Sequence, residues 1–200
     1  SNENLIAPPS VHSLLVANSP SPLLVVTTSN RQAVELSSEI SSWIGADNVI
    51  NFPAWETLPH ERLSPKPDTV TARFKALYKI NEGKTKVVVC SVRALLQPII
   101  SNDLSSTSIT ISSKSSFILS ELVKLRIKFG YSRSDLVERR GDFAVRGGIL
   151  DLFPADKEHP IRIDFFGDEI DDLSYFSISD QRSINKIDDE LIIYPCRELL

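Results

Sequence analysis

The first half of the chain alternates runs that are apolar throughout with segments of helical spacing. Residues 11–18 read as a short helix, and Pro22-Leu-Leu-Val-Val-Thr-Thr28 is a continuous apolar stretch of strand length. Over 31–44 the apolar residues Ala33, Leu36, Ile40 and Ile44 fall on one helical face, with Asn30 placed to cap it. A second strand is predicted over 48–52. A helix capped by Asp68 then runs through Val70, Phe74, Leu77 and Ile80, and a third buried strand covers 86–90. Strands that lack polar alternation need cover on both faces, and the intervening helices supply it, so these elements predict a parallel sheet.

Serine enrichment over 101–116, with an edge strand at 108–111, predicts a domain boundary near 112. Beyond it, Ser116 caps a predicted helix carrying Ile118, Leu119, Leu122, Val123, Leu125 and Ile127, closed by Gly130. The period then changes to two. Short strands are predicted over 143–145, 149–153, 161–165 and 170–176, with Gly147-Gly148 as a tight hairpin and Gly167-Asp168 as a turn. Residues 191–194 are again strand-like. The fold class is therefore α/β: a parallel-sheet domain over 1–112, then a small α+β domain with an antiparallel sheet over 113–192.

Two of the period-two segments carry an unusual pairing of residue types. In Phe143-Ala-Val-Arg-Gly-Gly-Ile-Leu-Asp-Leu-Phe-Pro154 and Ile161-Arg-Ile-Asp-Phe-Phe-Gly-Asp-Glu-Ile170, Arg146 and Arg162 occupy polar positions flanked by apolar ones. Phe165 and Phe166 lie beside them. Arginine and aromatic surface together on a small sheet point to a docking function.

Composition bounds the partners. At 42% hydrophobic and 24% charged the chain is an ordinary globular one, without an apolar run of membrane-spanning length or a secretory leader, so the cytoplasm is expected. Cys90 and Cys196 are expected as reduced thiols. The absence of methionine, and the ending just after a strand-like stretch, suggest a piece of a longer protein. Charge balances over 1–112, and the net −4 falls in 113–200, which is not the basic body that phosphate neutralisation requires. Lys124, Arg126, Lys128, Arg133, Arg139 and Arg140 cluster locally. A solvated helix face explains most of that run, with direct nucleic-acid contact as the alternative.

No catalytic constellation emerges. Gly83-Lys84-Thr85 resembles the tail of a phosphate-binding loop, but Tyr78 stands where the opening glycine belongs, and the segment leads from a helix into a strand, the reverse of the required order. No glycine precedes Gly45, so the first strand cannot feed such a loop either. Asp164, Asp168, Glu169, Asp171 and Asp172 are read as a turn and a soluble sheet edge rather than a metal site. His12, His60 and His159 are scattered without ligand spacing. The proline-rich Phe52-Pro-Ala-Trp-Glu-Thr-Leu-Pro-His-Glu-Arg-Leu-Ser-Pro-Lys-Pro67 is expected to be a stiff cover with Trp55 and Leu58 packed inward.

These motifs resemble, in order, the amino-terminal module of the bacterial transcription-repair coupling factors. Phe52-Pro-Ala-Trp-Glu-Thr-Leu-Pro59, Ser64-Pro65 and Arg73-Phe-Lys-Ala-Leu77 are similar to the family's first domain. Gly130-Tyr131 with Arg133, the segments 141–154 and 160–170, and Ser179-Asp-Gln-Arg182 are similar to its second. The excision-repair helicase UvrB shares the second-domain pattern but has a working phosphate loop near its start. The resemblance implies a degenerate, helicase-like first domain without ATP binding, a second domain that recruits the damage-recognition protein UvrA, and residues 193–200 as the start of a return to the first domain. It places the UvrA-contacting residues at Arg146, Arg162 and Phe166. It implies no catalysis, cofactor or metal in these residues, no membrane partner, and contacts to RNA polymerase and double-stranded DNA through other domains of an ATP- and Mg-dependent translocase.

On that reading Arg146 and Arg162 present donor forks to carboxylates of UvrA, while Phe166 fills an apolar pocket. The alternative for the residues is that Arg162 pairs internally with Asp164 or Glu169 and that Phe166 is core. The alternative for the function is a nucleic-acid-binding piece of a UvrB-type excision-repair protein.

Overall fold

A computed structural model describes residues 4–57, 64–99, 108–113, 115 and 128–197. They group into two units, one formed by residues up to 55 with 76–99 and the other by 56–75 with residues from 100 onward. This division differs from a boundary near 112, because β4 (Ile109–Ile111) pairs with β11 (Leu191–Ile193) and the start of α3 (Pro67–Asn81) packs in the second unit. There the buried Thr71 hydroxyl donates to the Pro195 carbonyl at 2.8 Å. The expected helix over 116–127, Lys124, Arg126, His60 and Leu58 lie outside the described residues.

The first unit is a three-stranded parallel sheet in the order β1 (Leu23–Thr27), β3 (Val87–Ser91), β2 (Val49–Phe52). Its two faces bury different clusters. Ala33 and Ile40 of α2 (Asn30–Ile44), together with Val16 of α1 (His12–Ala17), pack on Val49, Val87 and Val89. On the opposite face Ala76 of α3 and Ala94 of α4 (Val92–Leu96) pack on Ile50, Phe52 and Cys90. Helix α2 is capped by Ser29, whose side chain accepts from the Gln32 amide at 3.3 Å. Asn30, the expected cap, is instead the first helical residue and accepts from the Ser91 hydroxyl.

The second unit is built on a six-stranded sheet in the order β10, β9, β8, β7, β6, β5. The strands are β5 (Ser132–Arg133), β6 (Asp142–Arg146), β7 (Ile149–Leu152), β8 (Ile161–Phe166), β9 (Glu169–Phe176) and β10 (Ser183–Lys186). The pairs from β6 to β9 are antiparallel as expected, β10 adds an unexpected antiparallel edge, and β5 joins β6 in parallel, so the sheet is mixed. One face carries the main core: Phe143, Leu150, Leu152, Ile161, Ile163, Ile170 and Leu173 pack with Phe129, Tyr131 and Ile193. Strict alternation then sends Ala144, Arg146, Asp151 and Arg162 to the other face. Gly147 takes φ 58 in the two-residue β6–β7 connection, a conformation the hairpin requires and L-residues resist.

Candidate docking surface

The hairpin sets the geometry of the site. With only Gly147 and Gly148 between the strands, Arg146 pairs with Ile149, Ala144 faces Asp151, and Asp151 on its other side faces Arg162. Asp151 is fully buried. Its carboxylate accepts from Arg162 Nε at 2.7 Å and Nη2 at 2.9 Å, a bidentate fork, and from Arg146 Nη2 at 2.6 Å. Burying a carboxylate without donors is costly, and three charge-assisted hydrogen bonds offset that cost.

The two arginines differ in how much of each remains outside. Arg162 has a side chain only 16% exposed, donates from Nη1 to the Gln181 carbonyl at 2.9 Å, and lies over the Phe176 ring at 4.6 Å. Hydrogen bonding to Asp151 raises its pKa against the opposing effect of burial, so it stays charged. Gln181 itself holds a left-handed φ of 61, and its side chain bonds back to the Ile178 carbonyl, fixing the loop whose oxygen Arg162 meets. Arg146 keeps 46% of its side chain exposed. The internal pair weighed for Arg162 thus forms, with Asp151 rather than Asp164 or Glu169.

Phe166 stands at the same end of the sheet as Arg146, since the β6–β7 and β8–β9 connections lie side by side. A bulge leaves Asp171 of β9 unmatched where Asp164 pairs with Asp172 and Phe165 with Ile170. Phe165 packs against the core, and Phe166 is 83% exposed. The alternative in which Phe166 is core is removed by that exposure. Desolvation raises the Asp164 pKa, Arg162 opposes it, and the neighbouring carboxylates Asp172, Asp151 and Asp171 add to it. The surface therefore combines an exposed phenyl ring, one open guanidinium and an acidic flank ending in the Lys186–Asp172 pair at 2.8 Å.

Asp151 was not singled out in the sequence. Its signal was available there, because a two-residue hairpin after Arg146 fixes the register and puts position 151 diagonal to it.

In the first unit short polar side chains close the connection from β1 to α2. Only two residues join β1 to α2: Thr28 donates to Gln32 Oε1 at 2.6 Å, and Ser29 supplies the cap. Lys84 and Thr85 follow α3 and precede β3, where the Thr85 hydroxyl donates to the Lys79 carbonyl at 3.3 Å. A groove of about 600 Å³ runs beside β1, lined by Leu15, Val16, Val25 and Leu36 with Thr27 and Thr28 at one side. Cys90 and Cys196 are buried; burial raises both thiols, Cys196 to about 12. Among the described residues no helix is long and apolar enough to cross a membrane.

Comparison with known proteins finds one family model on the same half of the chain and relatives along nearly all of it. Residues 109–199 match the family model of the UvrB interaction domain, which spans the whole six-stranded sheet. A transcription-repair-coupling factor of Mycobacterium tuberculosis is 46% identical over 98% of this chain, and those of Escherichia coli and Bacillus subtilis are 30% and 28% identical over 84% and 90% of it. The match takes up 17%, 14% and 15% of those proteins' lengths. With its mycobacterial likeness running nearly end to end and a UvrB interaction domain on its β-sheet half, the chain belongs to the transcription-repair-coupling factor family.

Proposed function

We propose that the chain is a non-catalytic recruitment module that docks UvrA through the face of the six-stranded sheet bearing Arg146, Arg162 and Phe166. The observation that carries this reading is Phe166. A phenyl ring 83% exposed at a sheet corner costs solubility and contributes little to its own fold, and it stands at the same end of the sheet as an open guanidinium. Aromatic and arginine anchors dominate interface energetics. The domain match supports a partner drawn from excision repair, and the resemblance of the motifs nominates UvrA.

The same reading assigns the longer protein the remaining roles: RNA polymerase contact and ATP- and Mg-dependent movement on double-stranded DNA belong to regions outside these residues. Within the chain we propose no nucleotide site, supported by the two-residue β1–α2 connection and the side-chain cap that occupies the α2 terminus. The test is a calorimetric titration of the 200-residue chain with purified UvrA, repeated with Phe166→Ala. Binding that the substitution leaves intact in a folded protein refutes the assignment of the surface.

A further inference from the structure

The three-residue knot at Asp151 divides labour between the two arginines, and this follows from its geometry together with the docking reading above. We infer that Asp151 is a positioning residue of the docking surface: it consumes Arg162 as a support and holds Arg146 as the single open fork. Asp151 is 0% exposed, so no partner atom reaches it. Ala144, 1% exposed and opposite Asp151 in the register, leaves room for the Arg146 side chain to cross from its diagonal position. Arg162 spends both carboxylate-facing donors on Asp151, another on Gln181, and one ring face on Phe176. Arg146 spends one donor, from Nη2, and its remaining edge lies on the 46% of the side chain that is exposed.

The charge count sets the kind of partner. Two guanidinium groups and one carboxylate leave the knot itself with one net positive charge, set beside the acidic flank of Asp164, Asp171 and Asp172. The surface fits a partner patch with one carboxylate beside an apolar pocket, not a pair of carboxylates each met by its own arginine. Tethering by Asp151 also removes rotamers from Arg146 before the partner arrives, so less ordering is lost on docking.

A double-mutant cycle against purified UvrA tests this, with each protein first shown to be folded by its thermal transition. Arg146→Ala weakens binding about 30-fold in the Asp151 background, the scale of a central anchor. In the Asp151→Asn background, where the charge of the tether is gone and only a neutral amide oxygen can accept, the same substitution weakens it less than about threefold. Equal factors in both backgrounds overturn the inference and leave Asp151 a purely structural residue. Should Asp151→Asn not fold, the guanidinium NMR signals of the unmodified chain decide: a slowly exchanging Nη proton on Arg146 is expected, and free rotation contradicts the tether. If the unmodified chain does not bind UvrA, the recruitment reading falls and the docking role of Asp151 with it, while those signals still report whether the tether exists.

Discussion

Replacing Phe166 with alanine separates docking from folding, because the ring has little to lose inside its own domain. A phenylalanine buries roughly 150–250 Å² when fully covered. With 83% of the residue open, about 165 Å² is free for a partner, equivalent to about 4 kcal/mol at 25 cal/mol per Å² if wholly covered. Half coverage gives about 2 kcal/mol, so the dissociation constant of the UvrA complex should rise between about 30-fold and 800-fold. Stability should change by less than about 0.5 kcal/mol, as for other exposed positions. Calorimetry measures the first quantity and urea unfolding the second. The reasoning is refuted if affinity is unchanged, or if the variant loses more than about 2 kcal/mol of stability, since that loss would mean a packed ring.

Arg162→Ala should destabilise the domain by about 2–4 kcal/mol, because buried Asp151 would keep one of its three donors, whereas Arg146→Ala should cost less than about 1 kcal/mol; denaturant midpoints order the two, and the reverse order contradicts the knot. Asp164 has its folded pKa raised by desolvation, so the folded state binds its proton more tightly and stability falls as pH rises from the ordinary carboxylate pKa through the raised one. Asp164→Asn should therefore be slightly more stable than the parent at neutral pH, with the gap closing in acid; a gap that widens in acid gives the sign the lie. Mg-ATP at millimolar concentration should leave the melting temperature unmoved, and a saturable rise would restore a nucleotide site. Tyr131→Phe removes a buried hydroxyl that donates to the Tyr194 carbonyl at 3.1 Å and should cost about 1–2 kcal/mol by urea unfolding.

The parallel sheet and most of the second sheet were legible because burial on both faces, or on one, imposes a period on the residues. Val87–Ser91 carries no polar alternation since helices cover both sides, and Ile161–Phe166 alternates since one side is core; Leu23–Thr27, at the sheet edge, is apolar throughout although Leu24 and Val26 are exposed. The strand Ser183–Lys186 left no such trace. It is exposed at all four positions and has one neighbour, so no apolar period marks it. Val92–Leu96 is too short for a helical period to accumulate, and Ser132–Arg133 is shorter still. The cap at Ser29 rather than Asn30 reflects two adjacent short polar side chains, of which the sequence cannot say which meets Ser91.

The site was half legible for a related reason. Arg146 and Phe166 stood out as residue types that a small core does not need, and both lie exposed. The fate of Arg162 depended on register across the 153–160 connection and on the left-handed turn at Gln181, neither of which hydrophobic patterning encodes. A polar residue on a sheet face is equally consistent with docking and with pairing until its cross-strand neighbours are known.

Titrating the 200-residue chain with purified UvrA, in parallel with its Phe166→Ala form and with duplex DNA alone, bears most directly on the proposed role. The account requires saturable heat with UvrA, at least about 30-fold weaker for the variant, and only weak, steeply salt-dependent association with DNA. No heat with UvrA, or DNA binding that outlasts physiological salt, contradicts it.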